Sequence, residues 1–239
     1  MNLLLMTFGP KVKNHYQAVF AILSFMRDPL VSRILIMTDQ PELYRWVTSL
    51  DGGQVAGHDL PEVEIVHVSQ EQLTEWQGAP QFFWRVKIRA IQEMFARHPD
   101  QHLMYIDSDT FLARSLADVV NLLDEGAALM HCQEYCLGDS RQEDVVSMNQ
   151  TLMGKTFAGV PVTPTSRMWN AGVIALPSSR AAQLIQQTLE MCDEMCATPS
   201  ARRLLEQFSF SLVLNHECPL YPCEGTVGHY WGNKAEWNR

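Results

Sequence analysis

Residues 103–111 read LMYIDSDTF, four apolar residues followed by a pair of aspartates, Asp107 and Asp109. A short apolar run of this kind predicts a buried strand that ends at the aspartates. In an extended chain, residues two positions apart point to the same side, so the two carboxylates can converge on one point. Ligands gather beyond the carboxyl ends of strands in open α/β sheets. The segment therefore predicts a ligand site at the end of a mid-chain strand.

The two carboxylates predict a divalent cation. Side by side they would repel one another, whereas a hard cation such as Mn²⁺ or Mg²⁺ removes that repulsion. Two other interpretations stay open. An Asp-x-Asp after a strand is also a frequent turn element, and in haloacid-dehalogenase-like phosphatases the first aspartate of Asp-x-Asp-x-Thr is a nucleophile. Asp107 would be that nucleophile here, but Phe111 stands where the threonine belongs and Thr110 comes one position early. We rank the phosphatase well below the metal site.

Strand-like runs alternate with helical segments along the rest of the chain. Strands are predicted at residues 3–8, 33–38, 63–68, 127–131 and 172–176, and helices at residues 15–26, 83–97, 115–123 and 179–195. Ser115, and Ser178 or Ser179, are the expected caps of the last two helices. The alternation predicts an α/β fold with a mainly parallel mixed sheet and helices on both faces. No linker-like stretch divides the chain, so we expect one domain over residues 1–239.

The overall composition excludes several classes of protein. The formal net charge is −9, whereas a nucleic-acid-binding protein needs a basic surface. No run approaches the roughly 20 apolar residues of a membrane span, and the apolar N-terminus lacks the basic start of a signal peptide. Six cysteines in 239 residues are too few for a disulfide scaffold. We therefore expect a cytoplasmic protein that binds no nucleic acid and spans no membrane.

A second polar cluster lies near the C-terminus, where residues 228–234 read GHYWGNK. The imidazole of His229, added to two carboxylates, would make a mixed site that favours manganese over calcium. Gly232 would let the backbone approach a ligand, and Lys234 would offer a charge for phosphate. The alternative is that His229 is a packed, hydrogen-bonded residue in an aromatic segment.

A long polar connection covers residues 137–167, with two prolines and little periodicity. A connection of this length inside a compact domain is usually functional. We expect it to be an acceptor-side loop that closes when a donor binds.

Several short motifs follow one another along the chain. They are Thr7 at the end of the first strand, FFWR at residues 82–85, YIDSDTF at residues 105–111, WNAGV at residues 169–173, Glu206-Gln207, and His229 with Gly232. In this order they resemble the nucleotide-sugar glycosyltransferases of GT-A fold, in particular the glycogenin and lipopolysaccharide galactosyltransferase type. The resemblance implies a single-domain, Rossmann-like GT-A fold over nearly the whole chain. The sequence departs from the family pattern at three positions, which are Glu206 for Asp, Ser211 for Asn, and Lys234 one residue closer to its glycine.

The resemblance also implies a role for each matched residue. The metal would be held by Asp107, Asp109 and His229, with Asp107 also contacting the ribose of the donor. The rest of the donor would be bound by Thr7, Arg85, Asn170, Gly172, Gly232 and Lys234. The reacting centre would be served by Glu206 and Gln207. Simpler explanations stay open for Arg85 as a solvated helix residue, for Asn170 and Gly172 as a strand-entry turn, and for Glu206 as a helix-end partner of nearby arginines.

The activity expected from this resemblance is metal-dependent hexosyl transfer. The donor would be a nucleoside-diphosphate sugar, and the acceptor a hydroxyl group of a glycan, lipid or protein. The resemblance implies that the anomeric configuration is retained. Two alternatives keep other functions open: a non-catalytic protein that only binds sugar nucleotides, and a phosphatase that uses Asp107.

Overall fold

The computed structural model describes residues 1–50, 52–55, 57–199, 201–232 and 236. Its strands are β1 (Asn2–Thr7), β2 (Arg33–Thr38), β3 (Gln54–Val55), β4 (His58–Asp59), β5 (Glu62–His67), β6 (Leu103–Ile106), β7 (Thr110–Leu112), β8 (Ala128–Met130), β9 (Gln133–Cys136), β10 (Thr156–Phe157), β11 (Val160–Pro161), β12 (Arg167–Trp169), β13 (Val173–Leu176), β14 (Leu220–Pro222) and β15 (Val227–His229). Its helices are α1 (Val12–Phe25), α2 (Arg45–Thr48), α3 (Gln70–Gln77), α4 (Arg85–Arg97), α5 (Ala117–Asp124), α6 (Glu143–Leu152), α7 (Ala181–Cys196) and α8 (Leu205–Glu217), with a 3-10 helix at Pro41–Tyr44. None of the described helices is long and apolar enough to cross a membrane.

Seven strands form the central sheet, in the order β14-β8-β13-β6-β1-β2-β5. β1 pairs in parallel with β2 and with β6, β2 pairs in parallel with β5, and β14 does so with β8. β13 runs antiparallel to both of its neighbours, β6 and β8. The sheet is therefore mixed and mainly parallel, which confirms the fold class expected from the alternating pattern.

Side chains on the strands alternate between two apolar cores, one on each face of the sheet. On β1, Leu3 and Leu5 pack with α1, α2 and α5, whereas Leu4 packs on the opposite face with α4, α7 and α8. All three leucines are fully buried, and burying each contributes about 1.5–3 kcal/mol. Helices thus cover both faces, as a parallel sheet requires.

The prediction of a loop over residues 137–167 is wrong in part. The segment contains α6 and a small hairpin of β10 and β11. Val145, Met148 and Leu152 are fully buried at a spacing of three and four residues, which is helical. The residues between them are mostly polar, which hides this pattern in the sequence. Gln142 and Asp144, at the start of α6, border the cleft described below.

Two predicted helix caps are also wrong. α5 begins after Leu116 and has no side-chain cap, while the Ser115 hydroxyl accepts the N–H of Ala117 at 3.3 Å. α7 begins after Arg180, beyond both candidate serines, and the carbonyl of Pro177 accepts the first N–H groups instead. A backbone turn therefore satisfies the donors that a serine was expected to satisfy.

Candidate active site

The candidate site lies where the order of the strands reverses. From β1 the chain proceeds outward to β2 and β5, and then returns to place β6 on the other side of β1. In sheets of this kind the crevice at the carboxyl ends of the two central strands is where ligands bind. Thr7 ends β1 and Asp107 directly follows β6. Both residues therefore lie at this crevice.

A cleft with two adjoining lobes opens at the crevice. The first lobe, of about 240 Å³, lies against the ends of β1 and β6 and is lined in part by Met6, Thr7, Phe8, Asn14, Phe83 and Tyr105. The second lobe, of about 370 Å³, lies towards β9 and α8 and is lined in part by Glu134, Asn170, Gly172, Glu206, Gln207 and Trp231. Both lobes are lined by Trp84, Lys87, Asp107 and Asp109. The aspartate pair thus lies at the junction of the two lobes.

A two-stranded ladder brings His229 to the aspartates. β7 begins directly after Asp109 and pairs antiparallel with β15, with His229 opposite Thr110. The backbone N–H of Tyr230 also donates to the carbonyl of Asp109 at 3.1 Å. Backbone pairing therefore joins two segments that are distant in sequence.

Asp107, Asp109 and His229 each direct one ligand atom to a common point, and these atoms lie within 4.8 Å of one another. The Nε2 atom of His229 is 3.4 Å from Oδ1 of Asp109 and 4.0 Å from Oδ2 of Asp107. The His229 side chain is 3% exposed, and its Nε2 has no hydrogen-bond partner among the described residues. A buried polar atom left unsatisfied costs about 1–3 kcal/mol. Two carboxylate oxygens and one imidazole nitrogen are a donor set that fits a divalent cation such as Mn²⁺.

A hydrogen-bond relay orients the His229 ring. Its Nδ1 lies 3.0 Å from Oδ1 of Asn170, and the Asn170 amide donates to Oε1 of Glu134 at 3.0 Å. Gln207 donates to the other Glu134 oxygen, also at 3.0 Å. Because the amide nitrogen of Asn170 donates to Glu134, the amide oxygen of Asn170 faces the imidazole and accepts the proton on Nδ1. The lone pair of Nε2 is thereby directed at the aspartates.

Gly172 allows the imidazole to occupy this position. A Cβ atom at residue 172 would lie 2.1 Å from Cε1 of His229, far inside contact distance. The N–H of Gly172 donates to Oδ1 of Asn170 at 3.0 Å, and its carbonyl accepts the N–H of Asp107 at 2.8 Å. Packing against His229 therefore requires a glycine here, whatever contact the residue makes with a donor sugar.

The ring of His131 packs edge-on against His229, with 5.2 Å between ring centroids. Burial, reinforced by the neighbouring His229, lowers the pKa of His131 to about 4. His131 is therefore neutral at physiological pH and places no positive charge beside Asp107, Asp109 and His229.

Lys87 links the aspartates to Glu206. Its Nζ lies 3.1 Å from Oε1 of Glu206 and 3.6 Å from Oδ1 of Asp107, and it donates to the carbonyl of Ala171 at 3.1 Å. Burial opposes the charge on Lys87, but Asp107 and Glu206 together raise the pKa of its ammonium group. Burial raises the pKa of the Glu206 carboxyl. The Lys87 ammonium group, which Glu206 shares with Asp107, offsets this rise only in part. The hydroxyl of Tyr105 donates to Oδ1 of Asp107 at 2.6 Å and completes the network.

The structure brings most of the other expected site residues to the cleft. Thr7 is buried, with its hydroxyl 3.3 Å from Nδ1 of His15. Glu206 and Gln207 lie in the first turn of α8, and both line the second lobe. Gly232 follows the exposed Trp231 at a turn. Lys234 lies outside the described residues.

Arg85 contacts other residues of the chain, and its role in binding the donor stays a prediction. Its Nε and Nη2 atoms donate to the carboxylate of Asp193 at 2.7 and 3.0 Å, and Nη1 donates to the carbonyl of Trp76 at 2.7 Å. The side chain is 13% exposed, so it is not a solvated helix residue. Arg85 ties α4 to α3 and α7 through three of its five guanidinium N–H donors.

Lys87 and Glu134 are among the cleft residues that sequence reasoning missed. For Lys87 a signal exists, because it lies four residues before the fully buried Ile91 on the apolar side of α4. A lysine at such a position is expected only where an acidic partner compensates it. Glu134 lies in the short strand β9, where no pattern in the sequence distinguishes it.

No protein-family model and no curated protein matches this sequence. Among solved structures, the apo form of mouse xyloside xylosyltransferase 1 matches with a TM-score of 0.57 at 13% sequence identity, covering 93% of this chain and 85% of that one. At this identity the similarity establishes the fold alone. The chain therefore has the α/β, Rossmann-like GT-A fold expected from its motifs, while the finer resemblance to the glycogenin type is not supported in particular.

Proposed function

We propose that this chain is a divalent-metal-dependent glycosyltransferase that transfers a hexose from a nucleoside-diphosphate sugar to a hydroxyl acceptor. The observation that carries the proposal is the meeting of Asp107, Asp109 and His229 at the junction of the cleft. The structural neighbour, whose name is that of a xylosyltransferase, supports sugar transfer as the class of reaction. We propose Mn²⁺, with Mg²⁺ as the alternative, because one of the three ligands is an imidazole.

In this proposal Asp107, Asp109 and His229 hold the cation, which when bound supplies Lewis-acid stabilisation of the charge on the leaving nucleoside diphosphate. The surrounding residues position these ligands. Asn170 keeps Nε2 of His229 directed at the carboxylates, and the hydroxyl of Tyr105 fixes one oxygen of Asp107. Such neighbouring hydrogen bonds typically change metal affinity by about 10–100-fold when they are removed.

The two lobes suit the two halves of a donor. In the first lobe Phe8 and Phe83 offer apolar surface for a base, and Thr7 and Asn14 offer polar atoms for a ribose. The diphosphate would then reach the aspartates at the junction. The lining of the second lobe includes amide and carboxylate side chains, which bind sugar hydroxyls through directional hydrogen bonds: Glu134, Asn170 and Gln207.

We place the reacting centre beside Glu206 and Gln207, as the resemblance implies. Transfer breaks the bond between the anomeric carbon and the diphosphate oxygen and forms a bond to the acceptor oxygen, which loses its proton. Positive charge develops on the sugar as the diphosphate leaves, and a buried carboxylate such as Glu206 stabilises it electrostatically. Retention of configuration remains an expectation from the resemblance. The start of α6, at Gln142 and Asp144, is the proposed acceptor side.

A thermal-shift panel tests the donor part of the proposal. The chain is heated with UDP, GDP, CDP and TDP, and with their hexose derivatives, in the presence of Mn²⁺ or of EDTA. We expect one nucleotide series to raise the melting temperature only with Mn²⁺, because a ligand at 100 times its Kd stabilises a fold by about 2.7 kcal/mol. Asp107→Asn should remove the shift, whereas the exposed control Asp118→Asn should keep it.

Product analysis then tests the chemistry. With the stabilising donor and Mn²⁺, we expect slow release of nucleoside diphosphate and free hexose, since water replaces the absent acceptor. Binding without any release would instead identify a sugar-nucleotide-binding protein without activity. Release of inorganic phosphate from a simple phosphate ester with Mg²⁺, with phosphate trapped on Asp107, would identify a phosphatase.

A further inference from the structure

Helix α1 is apolar on two opposite sides. Its inner side is firmly packed, with Ala18, Ile22 and Phe25 fully buried in the core. Its outer side carries large apolar side chains with exposures of 59, 72, 50 and 40%, which belong to Val12, Tyr16, Phe20 and Leu23. Their spacing of four, four and three residues aligns them in one row along the helix, here called the α1 stripe. An exposed row of this size on a well-packed helix marks an interaction surface.

The α1 stripe extends towards the candidate active site. The ring of Phe20 lies 6.3 Å from that of Phe111, which in turn lies 6.5 Å from the ring of Tyr230. Tyr230 directly follows His229, and Asn14 on the same helix lines the first lobe of the cleft. A surface that covers the stripe would therefore lie beside the mouth of the cleft.

The charged side chains of residues 8–27 all have one sign. Lys11, Lys13 and Arg27 are exposed at its two ends, and residues 8–27 contain no aspartate or glutamate, in a chain with 27 acidic and 18 basic residues. Within the described part of the chain, none of these three cations forms an ion pair. The stripe is thus an apolar surface flanked by unpaired positive charge on an otherwise acidic protein.

We propose that the α1 stripe docks this protein on an anionic lipid surface. Helices of this composition lie in the membrane interface, with apolar and aromatic side chains entering the boundary of the acyl chains and basic side chains meeting the headgroups. Tyr16 suits that position, because its ring is apolar and its hydroxyl stays wet. A second copy of the chain fits less well, because a two-fold contact through α1 would bring its lysines and arginine together with no carboxylate within residues 8–27 to match them.

Flotation with lipid vesicles tests the docking surface without donor or metal, so its outcome is independent of the proposed sugar transfer. We expect the protein to float with vesicles of phosphatidylcholine and phosphatidylglycerol, and not with vesicles of phosphatidylcholine alone. High salt should weaken the binding, because the electrostatic part is screened.

Paired variants separate the stripe from the rest of the surface. Tyr16→Ser should lower the vesicle partition coefficient about tenfold, as expected when one aromatic side chain leaves an apolar contact. Tyr221→Ser is the matched control, since Tyr221 is a 43% exposed tyrosine on the edge strand β14. Lys11→Glu with Lys13→Glu should abolish the preference for anionic vesicles, and the exposed Lys155→Glu should not. Melting temperatures confirm that each variant is folded.

Three outcomes would overturn the proposal. The first is a wild-type protein that does not float with anionic vesicles. The second is equal loss of binding in Tyr16→Ser and Tyr221→Ser. The third is a concentration-dependent dimer that Tyr16→Ser dissociates in the absence of vesicle binding, which would assign the stripe to a second copy of the chain.

Discussion

The imidazole of His229 depends on several neighbours for its position. Asn170 fixes which nitrogen carries the proton, and the edge of His131 supports the ring from the side. Gly172 leaves the space that the ring occupies. Aspartates alone would bind a hard cation, but a lone pair held in a fixed direction adds preference for a metal that accepts nitrogen. In the proposed metal site, the direction of the His229 lone pair is thus set by residues that would not touch the cation.

Replacing Gly172 by alanine should therefore weaken metal binding. The new methyl group would lie 2.1 Å from the His229 ring, so the ring must move away from the aspartates. We expect the Mn²⁺ affinity of Gly172→Ala, measured by electron paramagnetic resonance, to fall by about tenfold or more. Gly225→Ala is the control, because no atom lies within 4 Å of its added methyl group. Equal affinities in the two variants would show that His229 is not a ligand.

At the scale of elements, a single lysine connects α4, α8 and the end of β6. Lys87 is 7% exposed and Glu206 is 5% exposed, so this ion pair is shielded from water. Charges buried in this way are stable only while each keeps its partner. The contact therefore holds the first turn of α8, with Glu206 and Gln207, against the strand that carries Asp107.

Lys87→Met should destabilise the fold strongly, because it leaves the Glu206 carboxylate buried without a cation. We expect the free energy of unfolding in urea to fall by about 3–5 kcal/mol. The double variant Lys87→Met with Glu206→Met should regain much of this loss, and Lys155→Met, at an exposed position, should stay within about 0.5 kcal/mol of wild type. A single variant as stable as wild type would mean that the pair is solvated.

Sequence patterns predicted the strands and helices whose buried residues form a continuous run or a regular apolar repeat. They missed elements in which few residues are buried. The apolar runs before Thr7 and Asp107 read as strands because both faces of a parallel sheet are buried. α6 was missed because only Val145, Met148 and Leu152 of its ten residues are buried, so its apolar side is narrow. Arg85 was expected at the donor because a sequence motif specifies residue types, whereas the direction of a side chain depends on its neighbours in the fold.

At the scale of the whole molecule, the order of the strands creates the site. Thr7 and Asp107 meet because β1 and β6 are neighbours at the reversal point, and this neighbourhood follows from the alternating pattern together with the rules for parallel sheets. His229 reaches the aspartates in another way, which does not follow from the order of the strands in the central sheet. It depends on the pairing of β7 with β15, two three-residue strands that no local pattern predicts. The residue types of the GHYWGNK segment, together with the resemblance to a family, placed His229 beside the aspartates in advance.

The most direct test is a titration of Mn²⁺ into the full chain, followed by electron paramagnetic resonance, with and without the nucleoside diphosphate that stabilises it most. We predict that one Mn²⁺ binds per chain and that Asp109→Asn lowers its affinity about a hundredfold or more, since losing a ligand costs more than losing a neighbouring hydrogen bond. Asp118→Asn should bind as wild type does. Unchanged Mn²⁺ affinity in folded Asp109→Asn would contradict a metal site formed by Asp107, Asp109 and His229.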